Sequence, residues 1–172
     1  MNGYLYKSLQ NNVFRPELNP MLNVKIFQFS PIQENTYVLF NEQKEAIIID
    51  PGCYGKAEED HLADFIEKEG LIPKFLLNTH CHLDHILGND FIFKKYSLTP
   101  AIHRLELPIL ELGEASSKMW SVPYVKSPKP DIFLNENDLV VIGSCELKVL
   151  FTPGHSPGSV CFYCEKEKFI IS

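Results

Sequence analysis

The polar and apolar positions along the chain change period several times, and each change predicts an element. Residues 1 to 22, with Pro16, Pro20 and scattered Asn, hold no sustained period and read as an N-terminal extension ahead of a domain over 23–172. From Val24 the pattern is that of strands. Val24–Phe29, Thr36–Phe40 and Ala46–Asp50 are rich in branched and aromatic residues and separated by polar stretches, which predicts an antiparallel meander. Asp50-Pro51-Gly52 breaks the third run. Leu62, Phe65 and Ile66 then recur at helical spacing up to Gly70, a residue type suited to the left-handed position that ends a helix. Phe75-Leu76-Leu77-Asn78 is short and almost wholly apolar, as a strand buried on both faces should be.

After Gly88 a second helical pattern runs to about Tyr96, Pro100–Ile102 reads as a strand, and Arg104–Leu112 as a third helix. Gly113–Asp131 mixes Pro123, Pro128 and Pro130 with Trp120 and Tyr124, and reads as a long loop, either lying over a functional site or packed as a connector. Strand patterns return at Ile132–Leu134, Leu139–Ile142, Glu146–Thr152, Ser159–Cys164 and Phe169–Ile171. Strands, then helices, then strands with no internal repeat predict an α+β fold with helices packed outside a two-sheet core.

Composition narrows this picture. A chain of 172 residues is sized for one domain, and 45% hydrophobic with 22% charged residues is ordinary globular composition. Sixteen Lys and Arg against 22 Asp and Glu give a net charge of −6, which argues against a nucleic-acid partner. No run approaches the roughly 18 to 20 apolar residues of a membrane span, and the first twenty residues lack the apolar core of a secretory signal. Five cysteines form an odd set expected to remain thiols in a reducing, cytoplasmic setting.

The chemistry concentrates in Thr79-His80-Cys81-His82-Leu83-Asp84-His85, directly after the buried strand. Residues two apart in extended chain point to one side, so His80 and His82 can reach one cation, and a tightening turn swings Asp84 and His85 to an adjacent position. Imidazole and carboxylate donors without thiolate favour Zn²⁺, with Fe or Mn as contenders, at one or two sites. A second segment, Thr152-Pro153-Gly154-His155-Ser156-Pro157-Gly158-Ser159, uses Gly and Pro to fix a tight loop around one further imidazole, His155. Cys81 alternates away from its His neighbours. Cys161 and Cys164 face opposite sides of a strand, His61 sits on a solvated helix face, and His103 lies outside both motifs.

These residues resemble the metallo-β-lactamase superfamily, through T-H-C-H-L-D-H at 79–85, T-P-G-H-S-P-G-S at 152–159 and I-I-I-D-P-G at 47–52. With His85 after Asp84, the chain is most similar to the short glyoxalase II-like hydrolases (hydroxyacylglutathione hydrolase-like). The resemblance implies an αββα sandwich. It also implies that His80, His82 and His155 bind a first metal, that Asp84 and His85 bind a second, and that Asp50 supports the site from behind. Asp50 has a strand-end structural role as its equal alternative. The implied reaction is metal-dependent hydrolysis of a small-molecule acyl-thioester by metal-bound hydroxide, with Asp84 as the metal ligand holding the nucleophilic water.

In such relatives a bridging Asp follows a strand similar to Phe169-Ile170-Ile171-Ser172, and a distal His completes seven ligands, of which five are present here. The chain therefore resembles a C-terminally shortened member. Two other readings stand beside the hydrolase. One is a metal-binding but inactive domain that self-associates as a homo-oligomer through its unfinished C-terminal sheet. The other is different chemistry on the same site type, acting on lactones, β-lactams, phosphodiesters or persulfides.

Overall fold

The computed structural model describes residues 22–29 and 32–172. Ten strands form two sheets. The first contains, in spatial as in chain order, β1 (Asn23–Phe29), β2 (Glu34–Phe40), β3 (Glu45–Ile49), β4 (Ile72–Leu77), β5 (Pro100–His103) and β6 (Ile132–Leu134). β1 to β3 pair antiparallel, as the short polar connections require, and β3 to β6 pair parallel across helical crossovers. The second sheet is an antiparallel meander of β7 (Leu139–Ile142), β8 (Cys145–Phe151), β9 (Val160–Cys164) and β10 (Phe169–Ile171).

The main core lies between the sheets. Leu39, Ile47, Ile49 and Leu77 of the first sheet meet Leu147, Val149, Phe162 and Cys164 of the second. On the other face of the first sheet, Val38, Ile48 and Leu76 pack against α1 (Gly55–Lys68) and α3 (Asn89–Tyr96), through Leu62, Ile66 and Ile92. Leu76 and Leu77 are buried on opposite faces of β4, so the expected doubly buried strand is observed. Gly70 at φ 64° ends α1 in the predicted left-handed position. The short α2 (Leu83–Ile86), α4 (Leu107–Glu111) and α5 (Gly113–Trp120) gather by a third cluster of Cys81, Ile86, Ile102 and Leu110.

The α+β class and the helices-over-two-sheets arrangement agree with the sequence. Two boundaries do not. The long loop predicted over Gly113–Asp131 begins as helix α5, because its prolines start only at Pro123, after Glu114, Ala115, Lys118 and Met119 have already favoured a helix. Ser121 at φ 54° then closes it in the left-handed conformation. The predicted third helix is split into a 3-10 turn, Arg104–Glu106, followed by α4 with Pro108 in its first turn. The extension expected over residues 1–22 lies, except for Leu22, outside the described residues, and Leu22 itself packs in the main core.

Among the described residues no helix is long and apolar enough to cross a membrane. All five cysteines are buried thiols. Cys164 points into the core between the sheets, while Cys161 faces the other side of β9 beside Thr152.

Candidate metal centre

Backbone geometry brings the two motifs together. Parallel strands β3, β4 and β5 all end at one edge of the first sheet, so Asp50, Thr79-His80 and the Arg104–Glu106 turn emerge side by side, the usual place for a site in parallel sheets. The β8–β9 loop of the second sheet reaches the same edge, where Val160 N–H donates to the Thr79 carbonyl at 2.9 Å.

There His80, His82 and His155 form a nearly equilateral triangle, with ring centroids 4.8 Å, 4.9 Å and 4.6 Å apart. One ligand-capable atom from each lies within 4.8 Å of the others. His82 Nδ1 and His155 Nε2 face each other at 2.9 Å, and His80 Nε2 is buried with no hydrogen-bond partner. Burial, reinforced by the charge of His85, pulls His80 down to about 3, and burial with the neighbouring His155 lowers His82. Both shifts favour the neutral imidazole, the form that coordinates a cation, and a Lewis acid would satisfy the orphaned buried nitrogen. The donor set fits a divalent metal.

The second group sits beside it. His85 lies 4.0 Å from His80, ring centre to ring centre, on the one-turn α2 that swings Asp84 and His85 around as the spacing predicted. His85 Nδ1 lies 3.1 Å from Asp50 Oδ2, and His85 Nε2 lies 3.4 Å from Asp84 Oδ2. Burial alone would lower His85, but the hydrogen bond and charge of Asp50, with Asp84 adding, raise it. Asp50 occupies left-handed backbone at φ 49°, a strained place for a non-glycine residue, and is gripped from every side. Its Oδ1 accepts from Thr79 N–H at 2.8 Å, its Oδ2 from the Thr79 hydroxyl at 2.6 Å, and its carbonyl from the Thr36 hydroxyl at 2.7 Å.

Two buried carboxylates escaped the sequence reading. Glu34, at the start of β2, points into the second group, with Oε1 3.8 Å from His85 Nδ1, and burial followed by the charge of Asp50 pushes it up to about 9. Glu106 contacts both motifs from the turn after β5. A glutamate inside the apolar run Leu105–Leu110 was the available signal for Glu106. Glu34 has none in a strand that alternates. Of the remaining histidines, His61 is exposed and meets Phe27 edge-on, and His103 stacks on Phe151.

A cavity of about 600 Å³ opens over the site, with His82, Asp84 and His155 on its floor and Leu87, Met119 and Trp120 in its wall. Helix α5, where the sequence predicts a loop, supplies Met119 and Trp120 of that wall.

Comparison with known proteins places this geometry. Residues 30–172 match the family model of the metallo-beta-lactamase superfamily. The chain is 33% identical over 144 residues to the probable metallo-hydrolase YqgX of Bacillus subtilis, covering 83% of this chain and 65% of that protein. It is 26% identical to the hydroxyacylglutathione hydrolase GloC of Haemophilus influenzae, covering 86% of this chain and 68% of GloC. The structure superimposes on the B3 metallo-beta-lactamase BLEG-1 with a TM-score of 0.75 at 35% identity, covering 86% of this chain and 70% of the other. The chain thus spans about two thirds of the length of these relatives. From the match over residues 30–172 and the convergence of both motifs at one sheet edge, the chain belongs to the metallo-beta-lactamase superfamily.

Proposed function

We propose that the protein is a metal-dependent hydrolase of small acyl-thioesters, of the glyoxalase II type. The observation that carries this reading is the triangle of three imidazoles with its unpartnered His80 Nε2, two of whose rings, His82 and His155, line an apolar cavity. His80, His82 and His155 would hold one divalent cation, Zn²⁺ by donor type with Fe or Mn as alternatives, and Asp84 with His85 would serve a second. Such a cation supplies Lewis acidity and a bound water of lowered pKa.

The chain's own residues do the rest. Asp50 Oδ2, 3.1 Å from His85 Nδ1, would orient the ring through its charge so that Nε2 faces Asp84 and the site. Asp84, at the cavity floor, is placed to orient an attacking water and take its proton. Leu87, Met119 and Trp120 receive an apolar acyl group. Among the described residues lining the cavity there is no Lys or Arg, which favours an uncharged acyl carbon over a phosphodiester. A thiol leaving group titrates near 8.5, about 7 units below water, so the departing sulfur needs no general acid.

The similarity to BLEG-1 supports a second reading, β-lactam hydrolysis. Both are tested by measuring metal content and turnover of a hydroxyacyl-glutathione thioester and a β-lactam on the same sample. The expected result is thioester hydrolysis that a chelator abolishes and added metal restores. Faster β-lactam turnover would replace the first reading with the second.

A further inference from the structure

Glu106 belongs to neither motif, yet it joins them. It lies on the 3-10 turn after β5 and is fully buried, at 0% exposure. A carboxyl group there is tolerable only if its oxygens find donors in place of water. Those donors come from two different segments. Oε2 accepts from Cys81 N–H at 2.8 Å, and Cys81 lies between His80 and His82. Oε1 accepts from Gly158 N–H at 2.6 Å and from the Ser156 hydroxyl at 2.5 Å, and Ser156 follows His155. A Cβ at residue 158 would come within 2.9 Å of the Glu106 backbone nitrogen, so only glycine permits the approach.

The grip falls on the loop rather than the ring. The His155 side chain is exposed, and its ring meets only the edges of His80 and His82 and the His82 Nδ1 atom in the contacts described above. Where His155 stands relative to the other two imidazoles is therefore set by where its loop is tied. Val160 N–H to the Thr79 carbonyl ties the strands five residues further on. Glu106 ties the residues beside the imidazoles, Cys81 between His80 and His82 and Ser156 next to His155.

We infer that Glu106 is a positioning residue for the three-imidazole cluster: it fixes the spacing between the segment carrying His80 and His82 and the loop carrying His155, and so sets the affinity of the site for a divalent cation without touching it. This rests on the reading of those imidazoles as a metal site. Glu106→Gln keeps the volume but turns an NH₂ toward one of the two backbone N–H groups, setting donor against donor and pushing one loop away. Ser156→Ala removes one bond on the His155 side alone.

The test uses Co²⁺ binding to the full chain, read by chelator competition and by the visible absorption that reports coordination geometry. Leu147→Ala, in the core between the sheets, serves as a control that lowers stability without touching either loop. Glu106→Gln is expected to bind about 10–100-fold more weakly with a changed spectrum, and Ser156→Ala to lose a smaller factor, while Leu147→Ala binds as the unmodified protein does. Metal-free hydrogen exchange gives an independent readout: Glu106→Gln should speed exchange of the Cys81 and Gly158 amides together. Failure of the unmodified protein to bind Co²⁺ would overturn the metal reading, and the exchange data would then decide the clamp alone. The role of Glu106 is overturned by unchanged affinity and spectrum in Glu106→Gln. It is equally overturned by a loss no greater than that of Leu147→Ala, or, should Glu106→Gln not fold, by unchanged binding and Gly158 exchange in Ser156→Ala.

Discussion

His80, His82 and His155 on one side, and Glu34, Asp50 and His85 on the other, are neighbouring groups of three metal-capable side chains, and they employ their polar atoms differently. The first is three imidazoles turned toward one another, and its His80 Nε2 has no partner among the described residues. The second mixes one imidazole with two carboxyl groups: Asp50 accepts from Thr79 and lies 3.1 Å from His85 Nδ1, burial raises Glu34 to about 9, and Glu34 Oε1 and His85 Nδ1 are buried without a hydrogen-bond partner among the described residues. Unpartnered buried atoms occur in both groups and do not separate them. What separates them is the donor set and the proton it holds: the first offers imidazole nitrogens alone, while in the second Asp50 is committed to Thr79 and Glu34, raised to about 9, favours its protonated form.

The largest test of this contrast is His82→Ala. The side chain is half-buried at the cavity and belongs to none of the apolar core clusters, so its loss should leave the metal-free melting temperature within about 2 °C of the unmodified protein. Divalent-cation affinity at the first site should fall by more than about 100-fold, beyond the range of outer contacts, and thioester hydrolysis with it. Unchanged thioester turnover would remove His82 from the site.

Asp50→Asn probes the second group. It replaces the anionic acceptor of His85 Nδ1 and weakens the grip on Thr79, so metal affinity should drop by about 10–100-fold. A sharper reading comes from histidine NMR titration of the metal-free protein. His85, which Asp50 raises, should titrate at lower pH in the variant. A His85 titration that does not move would mean that the two side chains are not coupled.

What could be read in advance follows the range of the interactions. Strand and helix periods, the one-sided reach of His80 and His82, and the turn that displaces Asp84 and His85 depend on residues a few positions apart, and all were legible. The split of Arg104–Leu112 was not, because the apolar spacing there does not distinguish a 3-10 turn from the α-helix that restarts at Pro108, and the onset of α5 was not, because the prolines from Pro123 onward coloured the reading of the residues before them. Glu34 and Glu106 were illegible for a different reason. Glu34 meets Asp50 and Glu106 meets Gly158 across |i−j| distances that only the assembled sheets close, and a lone Glu in an apolar run looks the same whether it is solvated or clamped. The αββα expectation was legible only through the resemblance, and the described residues show its two sheets with helices against the first.

The smallest effect concerns Glu34 and settles whether the second group holds a proton rather than an ion pair. Thr36 Oγ1 lies 3.1 Å from Glu34 Oε2 and 2.7 Å from the Asp50 carbonyl, and its single hydroxyl proton cannot serve both acceptors. A proton on Glu34 resolves this, in keeping with its rise from the ordinary 4.5 to about 9. Because the folded value is the higher one, its contribution to stability is complete below pH 4.5 and is lost as pH rises toward 9, where the unfolded chain ionises and the folded one resists. Glu34→Gln keeps the shape and carries no such cost. The metal-free variant should therefore melt close to the unmodified protein at pH 4.5 and progressively above it as pH rises to 8. A gap that stays constant across that range would mean that Glu34 is already ionised, and the second group would then be an anionic site comparable to the first as a cation ligand.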